Sequence, residues 1–154
     1  MPSRLTLSVP PDFELFKAVC SYGHFLLAPS RWDRDRQQLH RMLRDTKRRN
    51  VRTRITQSIQ GKTLAIHCDR TLARADQQYI KQQAIRMLRI DEDVSPWYKL
   101  HRSAKRRGFS RLFRGADLFE DIVKTITSCN VTWPNTVNMN RLLVEHVGHG
   151  GFPT

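Results

Sequence analysis

Residues 108–136, GFSRLFRGADLFEDIVKTITSCNVTWPNT, decide how the chain is read. Asp117 stands where a helix N-cap belongs, with Glu120 three residues on. Leu118, Phe119, Ile122, Val123 and Ile126 then recur at helical spacing on one face. The periodicity stops at Ser128-Cys129-Asn130. Pro134 falls where a first helical turn tolerates it, so the spacing predicts a second helix carrying Val137, Met139, Leu142, Leu143 and Val147. Two apolar helices are therefore joined by a short polar loop. Asn130 at the end of the first is suited to a left-handed C-cap. Lys124 is expected on the solvated side of the first helix.

Upstream the period changes. Leu5, Leu7 and Val9 alternate with Thr6 and Ser8 as in a half-buried strand, which Pro10-Pro11 ends. Asp12 is placed to cap a short helix in which Phe13, Phe16, Val19 and Cys20 share a face, with Gly23 to stop it. Residues 24–32 form an apolar run broken by Pro29, read as a strand and a turn. Leu39, Arg41 and Leu43 alternate with His40, Met42 and Arg44, and a basic turn follows. Val51, Thr53, Ile55 and Ile59 then take one face, Arg52, Arg54, Thr56 and Ser58 the other. Gln60-Gly61 turns the chain into Leu64, Ile66 and Cys68, so an antiparallel meander is expected. Arg52 and Arg54 are read as ordinary charge on an exposed sheet face, because phosphate contacts need clustering.

After Asp69 helical spacing takes over, which sets a composition boundary near 70–76. Asp76 is expected to cap a helix lined by Ile80, Ala84, Met87 and Leu88, with Arg86 and Arg89 in its last turn. Ser95-Pro96 starts another, with Trp97, Leu100, His101 and Ala104 on one side and Gly108 as its stop. The expected fold class is α+β: an antiparallel sheet domain with one or two helices over 1–75, then a helical lobe over 76–154.

The 154 residues carry 27 Lys and Arg against 14 Asp and Glu, a net charge of +13, with 39% hydrophobic and 27% charged residues. That balance allows a buried core, and its sign favours polyanionic partners, nucleic acid first. No apolar run approaches the ~20 residues of a spanning helix, and no signal-peptide pattern precedes the first strand, so no membrane partner is expected. The three cysteines lack paired close spacing, which fits neither a disulfide framework nor a zinc site. His146 and His149, three apart beside Glu145, lack a further ligand, so no metal and no cofactor is expected. The basic run Lys105, Arg106, Arg107, Arg111 and Arg114 is interleaved with Phe109 and Phe113. It reads either as C-capping charge with two core aromatics or as a phosphate-contacting patch.

The stretch LFEDIVKTITSCNVTWPNTVNMNRLL resembles the opening of the catalytic domain of helix-hairpin-helix DNA glycosylases, particularly the oxoguanine glycosylase branch. AVCSYGHFLLAPSRWD and LHRMLRD look like the amino-terminal sheet domain of some members. The resemblance implies the amino-terminal portion of a base-excision-repair glycosylase. It implies double-stranded DNA, including duplex with a damaged base, as partner, in a nucleus or a bacterial nucleoid. The chain reaches Phe152-Pro153-Thr154 before the hairpin, catalytic Lys and catalytic Asp of that family, so no catalytic residue is expected in it and the enzyme question stays open. Two alternatives stand beside this: a non-catalytic nucleic-acid-binding module, or a basic domain whose exposed helix faces are covered by a protein partner.

By the same resemblance, Asn130 matches the first Asn of the wedge loop that fills the stack when a nucleotide is flipped out. The branch's following Asn residues are Val131 and Thr132 here, and Asn135 replaces its opposite-base-reading Arg. Wedging and capping by Asn130 are compatible. The DNA-binding set is thus Asn130, Ser128 and Asn135 with Lys105, Arg106, Arg107, Arg111 and Arg114. Gly23 matches a glycine of the base pocket.

Overall fold

The computed structural model describes residues 1–153. Its strands are β1 (Arg4–Ser8), β2 (Ser30–Asp33), β3 (Gln38–Arg44), β4 (Asn50–Gln57) and β5 (Thr63–Cys68). They form one antiparallel sheet in the order β1-β5-β4-β3-β2. The expected meander of three strands is β3 to β5; β2 extends it beyond β3, and β1 closes the far side against β5. Period-two alternation sets which face is dry: Leu5, Leu39, Leu43, Val51, Ile55, Leu64 and Ile66 are buried, and their neighbours along each strand point away. Ile59 leaves this pattern. It lies in the β4–β5 turn and is fully exposed.

Helix α1 (Leu15–Val19) is a single turn, and the chain then makes a tight 3-10 turn over Gly23–Leu26 before β2. Asp12 does not cap α1; its carboxylate pairs with Arg111 at 2.7 Å. Helix α2 (Arg74–Leu88) crosses the dry face of the sheet and buries Ile80, Ala84, Met87 and Leu88 completely, the three large ones each worth about 1.5–3 kcal/mol of apolar transfer. One continuous core cluster holds these residues together with the sheet's inner face, Phe13 and Phe113. Asp76 sits in the first turn of α2, but its partner is Thr46 in the β3–β4 turn, through the backbone N–H at 3.0 Å and the hydroxyl at 2.6 Å. It clasps a hairpin instead of capping a helix.

The helix expected after Ser95 is two short ones, α3 (Ser95–Leu100) and α4 (Arg102–Arg107), broken at His101. Gly108 stops α4 in the left-handed region at φ 67°. Helices α5 (Leu118–Ile126) and α6 (Trp133–Leu142) follow, and α6 runs on into a wider π turn over Leu143–Val147. Asp117 caps α5 as expected, accepting from the Glu120 N–H at 2.8 Å.

The rotation of α5 is unusual. Leu118, Phe119, Ile122 and Ile126 are 48–65% exposed, whereas Glu120 and Lys124 are buried. Lys124, expected in solvent, lies inside with its Nζ 2.6 Å from Glu120 Oε1, and the Arg41 guanidinium bonds the other carboxylate oxygen. Ala116 N–H also donates to Glu120, at 2.8 Å. Arg41 comes from the dry face of β3, so a charged triad joins sheet and helix where an apolar contact would ordinarily sit. Burial alone would raise the Glu120 pKa, but the cations of Arg41 and Lys124 prevail and hold it at about 2. Burial pushes the Lys124 ammonium down to about 8, against the pull of Glu120.

Candidate nucleic-acid interface

A threonine–asparagine lock shapes the turn between α5 and α6. Thr136 Oγ1 donates to the Thr127 carbonyl at 3.1 Å, and Asn140 Nδ2 donates to Thr127 Oγ1 at 2.9 Å. Thr136 and Asn140 are both buried, one turn apart on the inner side of α6. This lock was not anticipated from the sequence, where the only available signal is two short polar residues at i,i+4 within a helical run. It holds out the stretch from Asn130 to Asn135, which is exposed along its length apart from the Trp133 indole that turns in against Gly23.

Asn130 adopts φ 55°, the left-handed conformation that asparagine tolerates, but the C-cap of α5 is Thr127, so Asn130 ends the turn that follows the helix and does not cap it. Its side chain is exposed, which leaves the amide available. Asn135 is exposed in the first turn of α6. Ser128 differs: its hydroxyl turns back to donate to the Thr125 carbonyl at 2.7 Å, so it finishes the helix.

The basic run is split by the fold. Lys105, Arg106 and Arg107 are exposed on α4 and form no ion pair among the described residues. Arg114 is half-buried and borders a cleft of about 440 Å³ with Arg86, Arg89, Asp91 and Glu92. Arg111 is 4% exposed. Its guanidinium pairs with Asp12, donates to the carbonyls of Arg89 at 3.1 Å and Glu92 at 3.3 Å, and lies 5.8 Å over the Phe13 ring. The expectation that Arg111 contacts DNA is therefore corrected, because its donors are spent on fixing the α2–α3 loop to the segment before α1.

Gly23 opens the 3-10 turn, and the position its Cβ would take is 2.8 Å from Cζ2 of Trp133. The glycine admits this indole and thereby joins the sheet side to the start of α6; it faces a ring and not an open pocket. Beside it Tyr22 and His24 pack ring to ring at 4.5 Å, and the Tyr22 hydroxyl donates to the Phe113 carbonyl at 2.7 Å. Burial, then the nearby Lys124 charge, lowers the His24 pKa and so favours its neutral imidazole. Among the described residues no group of three or more His, Cys, Asp or Glu is arranged to hold a metal ion. No helix among them is long and apolar enough to cross a membrane.

No protein-family model matches this sequence, and no curated protein does. Among solved structures the chain is similar to a 3-methyladenine DNA glycosylase from Archaeoglobus fulgidus, with a TM-score of 0.76 at 15% identity. The match takes in 97% of this chain and 56% of that one, so the chain spans little more than half the length of that glycosylase. The two share an α+β fold.

Proposed function

We propose that this chain is the DNA-binding portion of a base-excision glycosylase of the helix-hairpin-helix kind, from the oxoguanine-like branch, and that it engages damaged duplex through the Asn130–Asn135 loop. The observation that carries the reading is the loop itself, an exposed Asn in left-handed conformation at the tip of a locked helical hairpin, within a fold shared with a DNA glycosylase. A short amide held clear of the surface is the group needed to enter a vacated base stack and hydrogen-bond the orphan base. Lys105, Arg106 and Arg107 supply sequence-independent phosphate contacts.

The ionisable groups of α5 do not offer glycosylase chemistry. Asp117 caps the helix, Asp121 pairs with Arg86 at 2.7 Å, and Glu120 and Lys124 are sealed inside. None is free to assist base departure or to form a Schiff base.

Asn130→Ala tests the loop. Loss of the wedge lowers the preference for duplex containing an abasic site or mismatch over intact duplex by about tenfold, on the scale of one lost base contact, and leaves the salt dependence unchanged. Competition binding reads the preference and a thermal melt reads the turn. A variant that melts earlier yet keeps its full lesion preference would reduce Asn130 to a residue that shapes the turn after α5. The exposed stripe of α5 favours a second reading, in which an apolar protein surface covers it. Greater affinity for a helical protein partner than for any duplex would select that reading.

A further inference from the structure

The strand register assembles a cationic row that no single strand shows. On the face of the sheet opposite the core, Arg31 of β2 lies beside His40 of β3, His40 beside Arg54 of β4, Arg54 beside His67 of β5, and His67 beside Arg4 of β1. The row Arg-His-Arg-His-Arg crosses all five strands. At about 4.8 Å between strands it extends roughly 19 Å, with its guanidiniums about 10 Å apart. Arg4, Arg31 and Arg54 are exposed and the two histidines half-exposed. Arg52, also exposed, lies one step further along β4.

Charge on an open sheet face ordinarily serves solubility, and it does so with either sign and chiefly at edges. Within the row the sign is uniform, and its charge passes through the central strand. Among the described residues none of Arg4, Arg31, Arg52 and Arg54 has an ion-pair partner; of the carboxylates flanking the row, Asp33 is taken by Arg36 at 3.3 Å, and Asp69 stands past the end of β5 opposite Arg52, its N–H donating to the Arg52 carbonyl at 3.0 Å. Like charges set side by side across strands cost stability, and alternation with neutral histidine keeps the arginines apart. Each histidine is held toward its neutral form by burial and by the cations around it. These are Arg31, Arg54 and Arg36 for His40, with Asp33 opposing, and Arg54 and Arg4 for His67.

We infer that this row binds the phosphate backbone of a nucleic acid, as a second contact surface on the sheet, independent of the Asn130 loop. A polyanion laid along the row neutralises the unpaired guanidiniums, and its phosphates favour the imidazolium form, so up to five positive groups meet it. A lipid surface fits less well. Around the row the outward strand positions carry Thr6, Ser8, Met42, Thr56 and Ala65, and none of the described strand residues on this face is an aromatic able to insert between headgroups.

The experiment measures binding of a fluorescein-labelled 20-mer, as duplex and as single strand, by the full chain across salt and pH. Replacing Arg4, Arg31 and Arg54 together with Gln lowers the slope of log K against log salt by about 2–3, near 0.9 per lost phosphate contact on duplex, and weakens binding about tenfold or more at 50 mM salt. The matching triple Gln variant of Lys105, Arg106 and Arg107 controls for net charge, and thermal melts confirm that both variants fold. Wild-type binding tightens from pH 8 to pH 5.5, and His40→Gln with His67→Gln abolishes that change. A row variant that keeps the wild-type salt slope while the α4 variant loses it overturns the inference. So does a row that binds phosphatidylserine vesicles more tightly than either oligonucleotide. Lesion preference at Asn130 is read separately, so either proposal can fail alone.

Discussion

Glu120→Ala is expected to cost about 3–5 kcal/mol of folding free energy, because it leaves the Arg41 and Lys124 cations buried without their shared carboxylate. Urea denaturation measures the loss. Replacing all three residues at once, with Arg41→Met, Glu120→Leu and Lys124→Met, is expected to restore most of it, since well-packed apolar groups carry no desolvation penalty. A Glu120→Ala variant as stable as wild type would show that the triad is not buried. The pH dependence follows from the depressed carboxylate. With a folded pKa of about 2 against an ordinary 4.5, Glu120 contributes stability that is complete above pH 4.5 and is lost as pH falls towards 2. The stability gap between wild type and Glu120→Gln should therefore close over that window, with the other acidic groups cancelling in the difference.

Arg111→Ala is expected to lower stability by about 2–4 kcal/mol. It removes a charged hydrogen-bond hub and leaves the carbonyls of Arg89 and Glu92 without their guanidinium donor. The same variant should bind DNA with an unchanged salt slope. A normal melt together with a slope reduced by about one would return Arg111 to the phosphate-binding set.

Strands and helices were legible where period and burial agree. The inner faces of β4 and β5 and the buried side of α2 follow the alternation and helical spacing of their apolar residues, because apolar partners face them. The Asp117 cap was legible because it is local. The seating of α5 was not, since helical spacing separates two faces without saying which one meets the sheet. A clue was nevertheless present in β3, where Arg41 occupies the inward register between Leu39 and Leu43. A cation there requires a carboxylate from another element, and Glu120 is that partner. Arg111 was misplaced for the complementary reason: its burial depends on carbonyls 19–22 residues away, which no local pattern displays. The lock of Thr127, Thr136 and Asn140 and the cationic row are long-range in the same sense. The row appears only once five strands are paired in register.

The outward-facing stripe Leu118, Phe119, Ile122 and Ile126 bears on how this protein behaves as a colloid. At low ionic strength a net charge of +13 keeps copies apart, so the stripes rarely meet. Raising salt to about 1 M shrinks the screening length to about 3 Å, removes that repulsion and strengthens apolar contact in kosmotropic salts. Light scattering should accordingly show association growing with sulfate concentration, and Ile122→Lys with Ile126→Lys should suppress it without lowering the melting temperature. A salt titration of DNA binding thus changes two equilibria together, release from phosphate and self-association, and separates them only at dilute protein.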